Sequence, residues 1–182
     1  TLEEFNKTNA NQLAEKLYSE AIAQYEKRKQ DMMVQAVPVF KNIKLQQGSH
    51  IDNVIVPFTD GKRQVQALAN MEKTLQTSGA ELLHSLERTV TLAFIDNAWK
   101  EHLRSMDDLK QSVQTATYEQ KDPLVIYKME AFELFRKMDG EVNREIVQFL
   151  CHAGIPLAEG DELQEGRQEK TDMSKLSANK DQ

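Results

Sequence analysis

Two long helical patterns separated by six residues constrain this chain more than any other feature. From Gly79 to about Thr115 the pattern runs without proline, and a second helix is signalled at Asp122 and Pro123. Asp122 suits the N-cap and Pro123 the first helical position, where a missing N–H is no loss. The intervening stretch, Ala116 to Lys121, is polar and carries one aromatic residue, Tyr118. So short a loop folds the two helices back on each other.

The first arm would reach roughly 55 Å at 1.5 Å per residue. It carries two apolar stripes: Leu83, Leu86, Val90 and Phe94, then Leu92, Ile95, Trp99, Leu103, Met106 and Val113 at a shifted angle. Two stripes imply two sets of neighbours along one rod. On the return arm Leu124, Ala131, Phe135, Met138, Val142, Ile146 and Phe149 step as a seam does against an antiparallel partner. Trp99 and Phe135 read as structural anchors that bury large rings against a neighbouring helix. Gly154 is placed to end the return arm as a left-handed cap, with Pro156 beyond it. Ser78 and Glu81 have the form of a capping box at the start of the first arm.

Upstream, a helix is expected from about Asn9 to Val37, with Leu13, Leu17, Ala21 and Tyr25 on one face and Pro38 as its stop. Between about residues 42 and 68 the period changes to two. Ile43 and Leu45 alternate with polar neighbours, as do Val54, Val56 and Phe58, and Asp60-Gly61 is a turn signal before Val65 and Ala67. A small β-hairpin, or three short strands, is expected there, with Pro57 at an edge or bulge. Residues 69–77 are ambiguous. The expected fold class is therefore mainly α: a long antiparallel helical hairpin plus a helical unit carrying a small β insertion.

Composition narrows the function classes. The chain has 182 residues, 40% hydrophobic and 29% charged, and a net charge of -6. Half of that charge falls after Ala158, in a stretch nearly free of aromatic and β-branched residues that reads as a disordered linker. A mildly acidic body does not supply the clustered Lys and Arg of a nonspecific nucleic-acid binder. No run of apolar residues is long enough to span a bilayer. The single cysteine, Cys151, lies in an apolar helical stretch and fits a reducing cytoplasm. The chain begins at Thr1 rather than Met, as a piece of a longer protein would.

Chemistry-bearing constellations are weak. His102 lies beside Glu101 with Asp107 and Asp108 a turn on, but no HExxH and no pair of ExxH motifs occurs. His50, His84 and His152 share no partner in sequence. There is no GxxxxGK[ST] phosphate loop and no GxSxG elbow. No catalytic residue, no metal site and no resident cofactor is expected. Taken by its surroundings alone, Tyr118 folds back over the hairpin end more naturally than it contacts a partner.

The run from Phe94 to Leu134 contains DNAWKEHL, MDDLKQSV, YEQKDP and the start of YKMEAFELF, in that order. It resembles the two-helix finger of the SecA family, bacterial preprotein translocase motors. The first helix, with Tyr25 and Lys27 to Lys29, is similar to the start of that family's helical wing domain. The resemblance implies a wing over residues 1–78 with the β insertion at about 42–68, a scaffold two-helix finger over 79–152, and a C-terminal linker over 153–182. The insertion is a departure, being absent from many members.

By the same resemblance Tyr118 occupies the fingertip position that contacts the moving polypeptide at the mouth of the SecY channel. The implied partners are SecY, preproteins, the remaining SecA domains and, through the whole complex, the inner face of the cell membrane; nucleic acid is not among them. ATP and Mg would belong to motor domains outside these residues, so the chain itself is expected to be no enzyme. The zinc-binding cysteine cluster that ends many members is missing, and zinc is not expected. A freestanding helical adapter that binds a partner helix through its exposed stripes is the alternative.

Overall fold

The computed structural model describes residues 9–47, 51–115, 122–156 and 164–165. Helix α1 spans Ala10–Gln47, strands β1 and β2 span Asn53–Thr59 and Gln64–Asn70, and the short helix α2 spans Met71–Gln76. The long helices α3 (Ala80–Thr115) and α4 (Pro123–His152) follow, then a two-residue strand β3 (Gln164–Glu165). The fold is mainly α with a small antiparallel sheet, as the sequence led one to expect.

The core forms where the inner face of the hairpin meets three helices. Val54, Val56 and Phe58 of β1 alternate inward, with Ala67 and Ala69 of β2 beside them. Against this face lie Leu82, Leu83, Leu86 and Val90 of α3, Phe149 of α4, and Met32, Ala36 and Phe40 of α1. Phe40, Phe58 and Phe149 are fully buried, each contributing on the order of 1.5–3 kcal/mol.

That core explains why Pro38 does not stop α1. The helix continues through it to Gln47, because the stripe Met32, Ala36, Phe40 and Ile43 runs on at helical spacing into the core. Pro38 removes one hydrogen bond to the carbonyl of Val34, and Val34 is on the exposed side of the helix, where an unpaired carbonyl costs least. The same stripe corrects the expected strand over Ile43 and Leu45. Ile43 packs on the core as a helical residue and Leu45 points to solvent. A stretch of only three alternating residues cannot outweigh the burial of Phe40.

The β-hairpin itself is where the alternation placed it. β1 pairs with β2 in register from Asn53↔Asn70 to Thr59↔Gln64. On the other side of β1, Thr59 bridges Gly154, and Val54 and Ile55 pair with β3. Residues of one strand alternate in the side to which their N–H points, so Pro57 shares with Thr59 the side away from β2. Its missing donor thus falls in the gap between those two contacts.

Two caps differ from expectation. Ser78 is not the N-cap of α3; it lies at φ 51° and Gly79 at φ 96°, so the chain reverses through two left-handed residues. Thr77 does the capping, its hydroxyl donating to the Lys73 carbonyl and accepting from the Glu81 N–H. Gly79 also lies close against α1, since a Cβ there would stand 3.0 Å from Met33 Cγ. At the other end, α4 closes with Ala153 in an extended conformation rather than with a left-handed Gly154. Gly154 is drawn into the bridge with Thr59 instead, and Arg28 of α1 donates to the freed carbonyls of His152 and Ala153, both at 2.9 Å.

Candidate functional site

Helices α3 and α4 pack antiparallel. The Phe94 and Phe149 ring centroids lie 5.7 Å apart near one end, and His102 and Phe135 lie 6.0 Å apart farther along. Asp122 caps α4 as expected, its Oδ1 accepting from the Leu124 N–H at 2.9 Å, with Pro123 opening the helix. The first stripe of α3 is buried against the sheet, and Leu109 and Val113, farther out, are buried apart from that core. Leu109 faces Met129 and Leu134 across an open groove. Beyond Phe94, α3 continues for 21 residues, roughly 30 Å.

The second stripe is largely exposed. Trp99 and Phe135 are 45% and 46% exposed, so neither is the buried anchor that their spacing suggested. Both rings rest on His102 at the rim of the seam, Trp99 at 5.5 Å and Phe135 at 6.0 Å. Phe94, Leu109 and Leu134 line the clefts between the two helices, whereas Trp99 and Phe135 stay on the rim. Leu92, Ile95 and Leu103 of α3 and Phe132 and Val147 of α4 are exposed as well. Of the second stripe only the outer members are covered among the described residues, Val113 buried and Met106 half-buried.

Tyr118, the fingertip candidate, lies outside the described residues, as do Ala116 to Lys121 as a whole and His50. The acidic residues near His102 do not converge on it. Glu101 is occupied by Arg104 at 2.8 Å, and among the described residues no group of three or more His, Cys, Asp or Glu is placed to hold a metal ion. His84 approaches Glu87 at 3.5 Å and His152 Nδ1 lies 2.8 Å from the Gln148 carbonyl, so the two histidines serve separate helices. Cys151 is half-buried.

Two sets of contacts that the sequence did not reveal hold the unit together. Tyr25 of α1 donates to Glu87 of α3 at 2.9 Å. Burial raises the Tyr25 phenol well above its ordinary value, and the hydrogen bond to Glu87 and that carboxylate's charge push it in the same direction. The second cluster is at the hairpin turn. The Arg63 guanidinium carbon lies 4.5 Å from the Phe94 ring centroid and 5.9 Å from that of Phe149, and Nη1 donates to Glu145 at 3.0 Å. Asp60 accepts from the N–H groups of Lys62 and Arg63. Burial alone would raise its carboxyl; these donors and the Arg63 charge outweigh that and hold it below the usual value. An arginine in a turn has no periodicity, and no sequence signal marked it.

Arg63, Phe94, His102 and Glu145 line a cleft of about 460 Å³ between the turn and the two long helices. Its lining carries three carboxylates (Glu101, Glu141, Glu145) against two cations (Arg63, Lys137), with Arg63 paired to Glu145 and Glu101 to Arg104, a packing arrangement rather than a set of converging reactive groups. Among the described residues no helix is long and apolar enough to cross a membrane.

Comparison with known proteins gives one consistent result. The family described as SecA Wing and Scaffold domain matches residues 1–154. The chain is 43% identical over 182 residues, all of its length, to the protein translocase subunit SecA of Cytophaga hutchinsonii, covering 16% of that relative. It is 44% identical over 169 residues to that of Christiangramia forsetii, covering 93% of this chain and 15% of the relative. It is 39% identical over 193 aligned positions to that of Porphyromonas gingivalis, covering the whole chain and 17% of the relative. The chain thus spans about a sixth of the length of the curated relatives it matches. No solved structure matches it.

Proposed function

The chain belongs to the SecA Wing and Scaffold family, and from that premise we propose that it serves protein translocation as the wing and two-helix finger of a SecA-type motor subunit. Residues 1–78 are the wing, 79–152 the finger and 153–182 the linker that leads away from it. The finger reaches the cytoplasmic mouth of the SecY channel, where Tyr118 grips the preprotein. A planar amphipathic ring suits that work, because it contacts varied side chains and backbone without demanding a sequence.

The observation that supports this reading best is the outer part of the α3–α4 pair, whose buried residues Leu109 and Val113 stand apart from the main core. Two long helices that stiffen each other carry a displacement over roughly 30 Å with little bending and need no chemistry at the tip. ATP and Mg act in other parts of the subunit, and the finger transmits the movement they drive. The exposed faces of Trp99, Leu103 and Phe132 are then covered by those other domains. The complete subunit works at the inner face of the cell membrane without spanning it.

Tyr118→Ala in the complete subunit tests the reading. Preprotein transport should fall sharply while basal ATP hydrolysis persists; transport at the unaltered rate would contradict it.

A further inference from the structure

The β insertion packs its inner face on α3 and Phe149 of α4, and its turn end is tied in addition to the place where the long helices leave the core. Thr59 and Gly154 exchange two backbone hydrogen bonds, at 3.0 and 2.9 Å, tying the end of β1 to the chain just past α4. The turn that follows is locked from within. Thr59 Oγ1 donates to the Arg63 carbonyl and accepts from the Gly61 N–H, and Asp60 Oδ1 accepts from Lys62 and Arg63. Gly61 sits at φ 88°, a conformation open to glycine and strained for other residues.

This turn fixes Arg63 in one orientation. Asp60 Oδ2 holds its Nε at 3.3 Å, Glu145 of α4 holds Nη1 at 3.0 Å, and the guanidinium carbon lies over the Phe94 ring of α3. One planar cation therefore engages both arms of the helical hairpin at once, through a ring on one and a carboxylate on the other. Only a guanidinium combines stacking with two directed edges; an ammonium is a point charge on a flexible stem. The level along α3 matters as much as the contact. Val90, one turn before Phe94, is fully buried in the core, whereas Ile95, Trp99 and Leu103 beyond it are exposed.

We propose that the β1–β2 turn is a brace for the root of the α3–α4 hairpin, with Arg63 as the positioning residue that sets the angle at which the hairpin leaves the body. This rests on the finger reading above and gives the β insertion a part in it. A lever is only as stiff as its root. A rotation of about 10° there would swing the end of a roughly 30 Å arm by about 5 Å, more than the span of a side-chain contact. The brace removes that play, so movement delivered to the body reaches the tip.

The test uses the complete subunit with Arg63→Ala, Arg63→Lys and Glu145→Gln, read by amide hydrogen exchange and by transport per ATP hydrolysed. Arg63→Ala should raise exchange several-fold in segments 90–100 and 142–150, leave segment 30–40 of α1 unchanged, and lower transport per ATP. Arg63→Lys should restore little of either, and Glu145→Gln should give a smaller rise in the same two segments. Unchanged exchange at the root in both Arg63 variants would overturn the brace. Faster root exchange with undiminished transport per ATP would overturn its part in coupling. A failure of the finger reading is distinct, because it shows as normal transport by Tyr118→Ala whatever the root exchange does.

Discussion

Tyr25 and Glu87 meet across 62 positions of sequence in a 2.9 Å hydrogen bond that fastens α1 to α3. Lys29 lies 5.1 Å from the Tyr25 ring centroid and 4.0 Å from Glu87, so the contact is a small network. Removing the hydroxyl in Tyr25→Phe should destabilise the chain by about 1 kcal/mol in urea unfolding. The pH dependence is more diagnostic. Below the ordinary tyrosine pKa of 10.0 folded and unfolded chains both hold the phenol proton, and the contribution is complete. Above it the unfolded chain releases that proton while folded Tyr25 keeps its own, so stability falls as pH rises until Tyr25 itself ionises. Tyr25→Phe should flatten that alkaline loss; an unaltered slope would mean Glu87 does not hold the phenol.

The two phenylalanines of the return arm should separate cleanly. Phe149 is fully buried between Phe94 and the sheet, whereas Phe135 is 46% exposed on the rim of the seam. Phe149→Ala should cost about 3–5 kcal/mol, the range for a ring deleted from a core that relaxes only in part. Phe135→Ala should cost about 1 kcal/mol, since much of its surface already meets water. Equal losses in urea unfolding would place the seam in a different register.

Pro38 is a residue the fold tolerates rather than uses. It lies on the exposed side of α1, four residues past the exposed Val34, and an interior proline is about 3 kcal/mol less favourable than alanine in a helix. Pro38→Ala should therefore raise the urea midpoint, by the equivalent of about 1–3 kcal/mol after allowing for the more flexible unfolded chain. A lowered midpoint would show that Pro38 is needed to seat Phe40.

The parts that were legible in the sequence are those where one period dominates. The hairpin arms, the Asp122-Pro123 start of α4 and the Asp60-Gly61 turn all rest on local patterns or on residues with one conformational use. The misread parts are those where a distant contact decides. Pro38 signals a stop, but Phe40 gains more by staying helical and buried. Gly154 suits a left-handed cap, but Thr59 offers it a pair of strand hydrogen bonds. Trp99 looks like core because it is large and periodic, yet its ring stays on the rim beside His102, and Val113 at the far end of its stripe is the member that is buried. Arg63 was invisible for the same reason: its importance lies wholly in what the turn carries it to.

The central claim is that the loop joining α3 and α4 meets the moving polypeptide through Tyr118. A photo-crosslinking amino acid at position 118 of the complete subunit, with a preprotein stalled in mid-transport, measures this directly. The account predicts an ATP-dependent crosslink to the preprotein from position 118 and little from position 92, on the exposed flank of α3 near the root. No crosslink from position 118, or equal crosslinking from both, would contradict it.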